Sequence, residues 1–212
     1  MGKTPVLFLF MLAIWLPSWC QAGETIKDES CLKIMTNTAS EESKLPPNIE
    51  KYPALVHLCD LVFEFYQDKK DEELVLLEKY EEIYEKRLAL EAPETEEERM
   101  AWQRTYDLIN LQETENGLDI AKNQTILRHY EALFSILEKF VWQKDFDEKV
   151  FWQAWEEAKD RGHDLIYAIN LARINVFSLL MNKYESLNNP IEKERIQKKL
   201  DRLKTSKSYH VL

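Results

Sequence analysis

The sequence predicts an all-α fold: a single-domain bundle of about seven mostly antiparallel helices, with one disulfide and an extended N-terminal arm. Three observations carry this prediction. Apolar residues recur at three- and four-residue steps through most of the chain after residue 52. No stretch reads as a strand, and after Gly23 only Gly117 and Gly162 remain as glycines, so hairpin turns have little to use. Helix start and stop signals fall between the periodic stretches, and the short connections imply antiparallel neighbours.

Residues 1–22 read as a secretory signal peptide. Lys3 gives a basic start, Val6 to Leu16 is an apolar run, and Cys20-Gln21-Ala22 offers small residues for cleavage after Ala22. The run is too short to span a membrane, which takes roughly 20 apolar residues. The expected location is extracellular. The remaining 190 residues suit one domain. Losing Lys3 leaves 27 basic against 38 acidic residues, a net charge of −11. That balance argues against nucleic-acid binding and against adsorption to anionic lipid. Cys20 leaves with the signal, and the remaining pair, Cys31 and Cys59, is expected to form a disulfide in an oxidising compartment.

Residues 23–51 are polar and end in a proline pair, so they are expected to form an extended arm pinned by that disulfide. The helical domain is expected over residues 52–205. Pro53 suits a first helical position, and Leu55, Leu58, Cys59, Val62, Phe63 and Tyr66 mark helix one, ending near Gln67. After Asp68-Lys69-Lys70, helix two runs to about Leu90, with Leu77, Tyr80, Tyr84 and Leu88 on one stripe and a dense acidic face opposite. Thr95 and Glu98 form a capping box for helix three, which runs out at Glu115-Asn116-Gly117. Helix four carries Ile126, Tyr130, Leu133, Leu137 and Phe140 in one row and Leu127, Phe134 and Val141 in the next. Asp145 with Glu148 caps helix five, whose inward face is Val150, Phe151, Ala154, Trp155 and Ala158, and Gly162 closes it.

Asp164 to Leu187 is the most apolar long stretch. From Leu165 to Met181 only Asn170, Arg173, Asn175 and Ser178 are polar, four of seventeen, and they do not share a side. A helix apolar nearly all round is buried in a bundle or crosses a membrane, and the Arg and Asn residues favour the first. It is expected to be the buried axis of the fold, with no membrane insertion after signal cleavage. Asn189-Pro190-Ile191-Glu192 opens a last helix with Ile196, Leu200 and Leu203 inward, and residues 206–212 form a flexible tail.

Catalytic signals are missing. His57, His129, His163 and His210 form no H-E-x-x-H pair, and no nucleophile elbow, P-loop or dinucleotide fingerprint occurs. Asp145-Phe146-Asp147 with Glu156 at the twelfth place imitates an EF-hand loop, but Lys149 and Val150 stand where a ligand and the turn glycine belong. Neither catalysis, a cofactor nor a metal is expected. Asn123-Gln124-Thr125 is a glycosylation sequon at an expected loop boundary.

Two features point to binding. Residues 71–98 carry twelve acids and three bases, whereas residues 191–207 carry seven bases and three acids. This charge separation is either a pair of solvated faces or a docking surface for a basic extracellular partner. Aromatics crowd residues 134–177, and Trp142 and Trp152 fall off the buried stripes as candidates for an interface. Arg173 would anchor a headgroup if it faced a cavity, or pair with an acid if it did not. The general look is similar to secreted helical effector or carrier proteins, an architectural likeness that assigns no residue a role. The expected function is non-catalytic binding of an extracellular protein partner; the alternative is carriage of a small apolar or amphipathic ligand within the bundle.

Overall fold

A computed structural model describes Asn48 and residues 51–205. Residues 1–22, read above as a signal peptide, nearly all of the expected arm, Cys31 and residues 206–212 lie outside the described residues. The fold class is all-α, with no strand among the described residues. The count of about seven helices is corrected to four: α1 (Pro53–Leu88), α2 (Glu96–Val141), α3 (Glu148–Ser186) and α4 (Pro190–Thr205). At 1.5 Å per residue the first three are about 54, 69 and 58 Å long, and α4 is about 24 Å. Asn48 and Lys51, the described part of the arm, are helical and not extended.

Three expected breaks are continuous helix. Asp68-Lys69-Lys70 contains no glycine or proline, and α1 runs through it. The other two are the glycines. A glycine ends a helix by taking a left-handed conformation, and neither Gly117 nor Gly162 has positive φ. Gly162 is there for space. A Cβ at this position would lie 1.9 Å from Nδ1 of His129, so the imidazole of α2 occupies the volume a side chain on α3 would need. Gly117 has nothing within 4 Å of its would-be Cβ.

The true stop is at the end of α3. Asn188 takes φ 53°, its N–H donates to Glu185 O at 2.9 Å, and the Asn189 N–H donates to Tyr184 O at 3.0 Å. This is a Schellman arrangement with asparagine in the glycine's place. Asn189 then accepts from the Glu192 N–H at 3.2 Å and opens α4, as expected. The Thr95–Glu98 capping box also forms. The cap of α3 is Asp147, not Asp145: its carboxylate accepts from the Lys149 and Val150 N–H groups at 2.9 and 3.2 Å.

Each helix packs antiparallel on the next, α1 on α2, α2 on α3 and α3 on α4. The register is explicit. On the α1–α2 seam the amides of Asn116 and Asn123 donate to the carbonyls of Leu76 and Lys69, both at 2.8 Å. Both steps are seven residues, in opposite directions. On the α2–α3 seam Phe140 meets Phe151, His129 meets Gly162 and Asp119 meets Arg173.

The core lies in two parts. At one end the start of α1, the end of α2 and the start of α3 enclose Leu55, Cys59, Val62, Leu133, Leu137, Phe151 and Ile166. At the other, α3 and α4 bury Phe177, Leu180, Tyr184, Ile196 and Leu200 against Leu108, Leu111 and Leu118 of α2. No disulfide joins two described residues, because Cys59 is the one cysteine among them; it is not a free thiol. The expected Cys31–Cys59 bridge is therefore no part of the described fold. The arm is held at its described end by Asn48, whose buried amide donates to the carbonyls of Phe140 and Gln143 at 2.8 and 2.7 Å.

The two glycines separate cleanly by experiment. Gly117→Ala should raise stability by about 1 kcal/mol, because the site is helical and open. Gly162→Ala should cost about 1–3 kcal/mol through overpacking and recover when His129 is also truncated to Ala. Equal shifts of the urea midpoint for both variants would contradict this account.

His129 also predicts a pH dependence. It is 4 % exposed, and neither ring nitrogen has a hydrogen-bond partner. Burial, reinforced by neighbouring His163, pushes its pKa down from 6.5 to about 4. The unfolded chain therefore takes up this proton before the folded chain does. The stability is fully present above pH 6.5 and is lost as pH falls toward 4. Between pH 7 and pH 5 the loss should be about 2 kcal/mol, and His129→Leu should flatten that part of the urea-midpoint profile.

Candidate functional site

The interior at the sequence-predicted anchor is filled. Arg173 is 6 % exposed, and its guanidinium pairs with Asp119 of α2, donates to Asn170 Oδ1 at 3.2 Å and lies 5.3 Å from the Phe177 ring. The position a ligand headgroup would take is held by the Asp119 carboxylate. Lys199 of α4 reaches the other oxygen of Asp119 at 3.0 Å and also binds Glu115.

Glu115 is the deepest charge, 2 % exposed, and it takes both Arg195 and Lys199. Burial pushes its pKa up, but the hydrogen bonds from Arg195 and Lys199 outweigh burial and hold it below the ordinary carboxylate value. Reciprocally, the bond to Glu115 raises the pKa of Arg195. Part of the basic charge of α4 is thus consumed inside the molecule, on α2 and not on the acidic half of α1.

That half of α1 keeps its charge. Lys69 and Lys70 pair with Glu72 and Glu73, one turn away, and Arg87 pairs with Glu113 of α2 at 2.8 Å. No ion pair among the described residues engages Glu78, Glu81, Glu82 or Glu85, all exposed. Beside them stands an apolar row. Leu74, Leu77, Tyr84 and Leu88 are exposed, with Glu81 at the vacant place in their three- and four-residue spacing. Sequence periodicity puts Leu77, Tyr80, Tyr84 and Leu88 on one stripe. Of these the structure turns only Tyr80 toward α2, together with Leu76, Ile83 and Arg87, with Ile83 buried. The Tyr80 hydroxyl donates to Glu113 at 3.0 Å, and the Arg87 guanidinium lies 4.9 Å from the Tyr84 ring.

The remaining expected sites are scattered. Trp142 follows the last residue of α2 and Trp152 lies in the first turns of α3; both are exposed. The Trp152 ring stands edge-on to Phe151, and its N–H donates to Glu148 at 3.4 Å. Asn123 lies within α2, 2 % exposed, and the nitrogen that would carry a glycan donates to Lys69. Glycan attachment there requires the α1–α2 seam to open. Among the described residues no group of three or more His, Cys, Asp or Glu is placed to hold a metal ion. No family model, curated protein or solved structure matches the chain.

The Glu115 clamp predicts how α4 is held. Glu115→Ala removes the acid shared by Arg195 and Lys199, which keep Glu192 and Asp119, and should cost about 2–3 kcal/mol. The loss should be local: amide exchange over residues 190–205 should accelerate more than over residues 126–140. Uniform acceleration across all four helices would rule out the clamp.

Proposed function

We infer that the chain is a secreted, non-catalytic binding protein that docks a basic macromolecular partner on the C-terminal half of α1. One observation carries the reading. Glu78, Glu81, Glu82 and Glu85 are exposed and in no ion pair among the described residues, with Lys79 and Lys86 adjacent in sequence, beside a row of exposed large apolar side chains, Leu74, Leu77, Tyr84 and Leu88. A solvated face has no use for four such side chains, and an internal ion-pair surface would not leave its acids without partners. Together they suit a basic amphipathic helix, whose apolar residues cover the row while its cations meet the acids. The row is about 21 Å long, four turns of such a helix. Long-range attraction would speed encounter, and the apolar row would set the lifetime of the complex. Secretion rests on the sequence of residues 1–22, with its basic start, apolar run and small residues before Gly23.

A synthetic helix with lysines on one face and leucines on the other is the direct probe. Binding is expected with a Kd in the micromolar range, weakening with salt as exposed charges are screened. Leu77→Ser with Leu88→Ser should weaken it about tenfold or more through dissociation. Reversing Glu78, Glu81 and Glu85 to Lys should slow association. Equal binding of a scrambled peptide of the same composition would refute a helical docking face.

A further inference from the structure

From Leu165 to Asn182 the face of α3 turned away from the core has no charge. Between Asp164 and Lys183 lie eighteen residues, Leu165 to Asn182, and the one charged residue among them, Arg173, is turned inward onto Asp119. On the outward side Ala168, Leu171, Asn175, Leu179 and Asn182 follow at three- and four-residue steps, all exposed, with Leu165 and Tyr167 flanking them. Of the most apolar 18-residue window of α3 only 28 % is buried. Sequence reasoning took this helix for a buried axis; one face is core and the opposite face is open.

We propose that this face joins two copies of the chain in an antiparallel, two-fold dimer centred on Asn175. Charge is the first argument. The chain carries a net −10, so two copies repel over most of their surface, and this face of α3 brings no like charges together. A basic or acidic partner would find no counter-charge on it. Self-complementarity is the second. Leu171 and Leu179 each lie four residues from Asn175. A two-fold axis at Asn175 therefore sets Leu171 of one copy against Leu179 of the other, as an isologous interface requires. The two Asn175 amides then face each other, each offering both a donor and an acceptor, a pairing that fixes helix register. The small residues Ala168 and Ala172 permit close approach.

Area is the third argument. Leu165, Tyr167, Leu171 and Leu179 are 59, 63, 49 and 64 % exposed. They leave roughly 500 Å² of side chain in water, over half of the ~800 Å² that each partner gives to a standard interface. The alanines and asparagines between them add to this. The dimer leaves the acidic row of α1 on a different helix, so either surface can fail without the other.

Sedimentation of the chain from Gly23 at about 100 μM should return a dimer. Leu171→Glu and Leu179→Glu alter only exposed positions; each should return a monomer with unchanged helicity, with the dissociation constant raised at least a hundredfold. Asn175→Cys should cross-link to itself under mild oxidation. Tyr167→Cys should not, because its symmetry mate lies about 24 Å away along the helix. A wild-type monomer at that concentration, a dimer that survives either glutamate, or equal cross-linking at 167 and 175 would overturn the proposal. So would a monomer that partitions onto neutral phosphatidylcholine vesicles, which would make this face a lipid contact.

Discussion

Two neighbouring residues in the middle of α2, Glu115 and Asn116, hold the helices in place. They differ by one step, about 100° around the helix axis, so they address different neighbours. The Glu115 carboxylate is buried and requires cations; Arg195 and Lys199 supply them, which fixes α4. The Asn116 amide is wholly buried and requires an acceptor; the Leu76 carbonyl supplies it, which fixes α1. An unpaired buried carboxylate or amide costs several kcal/mol, so each group excludes registers that leave it without its partner. Apolar packing alone would not discriminate so well. A three- or four-residue slip of one long helix past another exchanges Leu for Ile or Val at modest cost. A slip that strands Glu115 does not.

This hub was invisible as such in the sequence because Glu115-Asn116-Gly117 has the composition of a helix stop. Polar residues followed by glycine end helices when the glycine takes a left-handed conformation and the polar groups meet water. Here the same groups meet protein, and the helix continues. Gly162 repeats the lesson with a different cause, the His129 ring. Local composition thus reports that a position is special without saying whether the reason is a turn or a neighbour. Signals whose partners are also local were legible: the Thr95–Glu98 box, Pro53, Asn189-Pro190, and the buried row from Ile126 to Phe140. The cap at Asp147 was misplaced by two residues, since Asp145 and Asp147 offer the same chemistry and only backbone direction chooses between them.

The faces were misread for a related reason. Helical periodicity shows that a helix has an apolar side; it does not show what lies against it. In a closed bundle every apolar stripe is inward. In a chain whose helices pack in sequence, each on the next, the outer helix has neighbours on one side only. Leu74, Leu77, Tyr84 and Leu88 then form a stripe with correct spacing and no partner, while the Ile83 side carries the packing. The same holds for α3, where Ile166, Arg173, Phe177 and Leu180 face inward and Leu171 and Leu179 do not. Arg173 was the informative residue. Its pairing with Asp119 shows which side of an apolar helix is interior, which hydrophobicity alone could not do.

The distribution of charge makes these open faces different in character. Interior ion pairs absorb part of the basic charge of α4, so the cations that might have neutralised the acidic half of α1 are spent on Glu115 and Asp119. Glu78, Glu81, Glu82 and Glu85 of α1 therefore have only the neighbouring Lys79 and Lys86 of their own helix as nearby free cations in sequence. On α3 the one charge between Leu165 and Asn182 is drawn inward by the same acid cluster, through Asp119, and the outer face of that stretch is left neutral. One pair of interior acids, Glu115 fully and Asp119 partly buried, thereby shapes both surfaces: it leaves the acids of α1 without the cations of α4, and it leaves α3 a stretch with no outward charge.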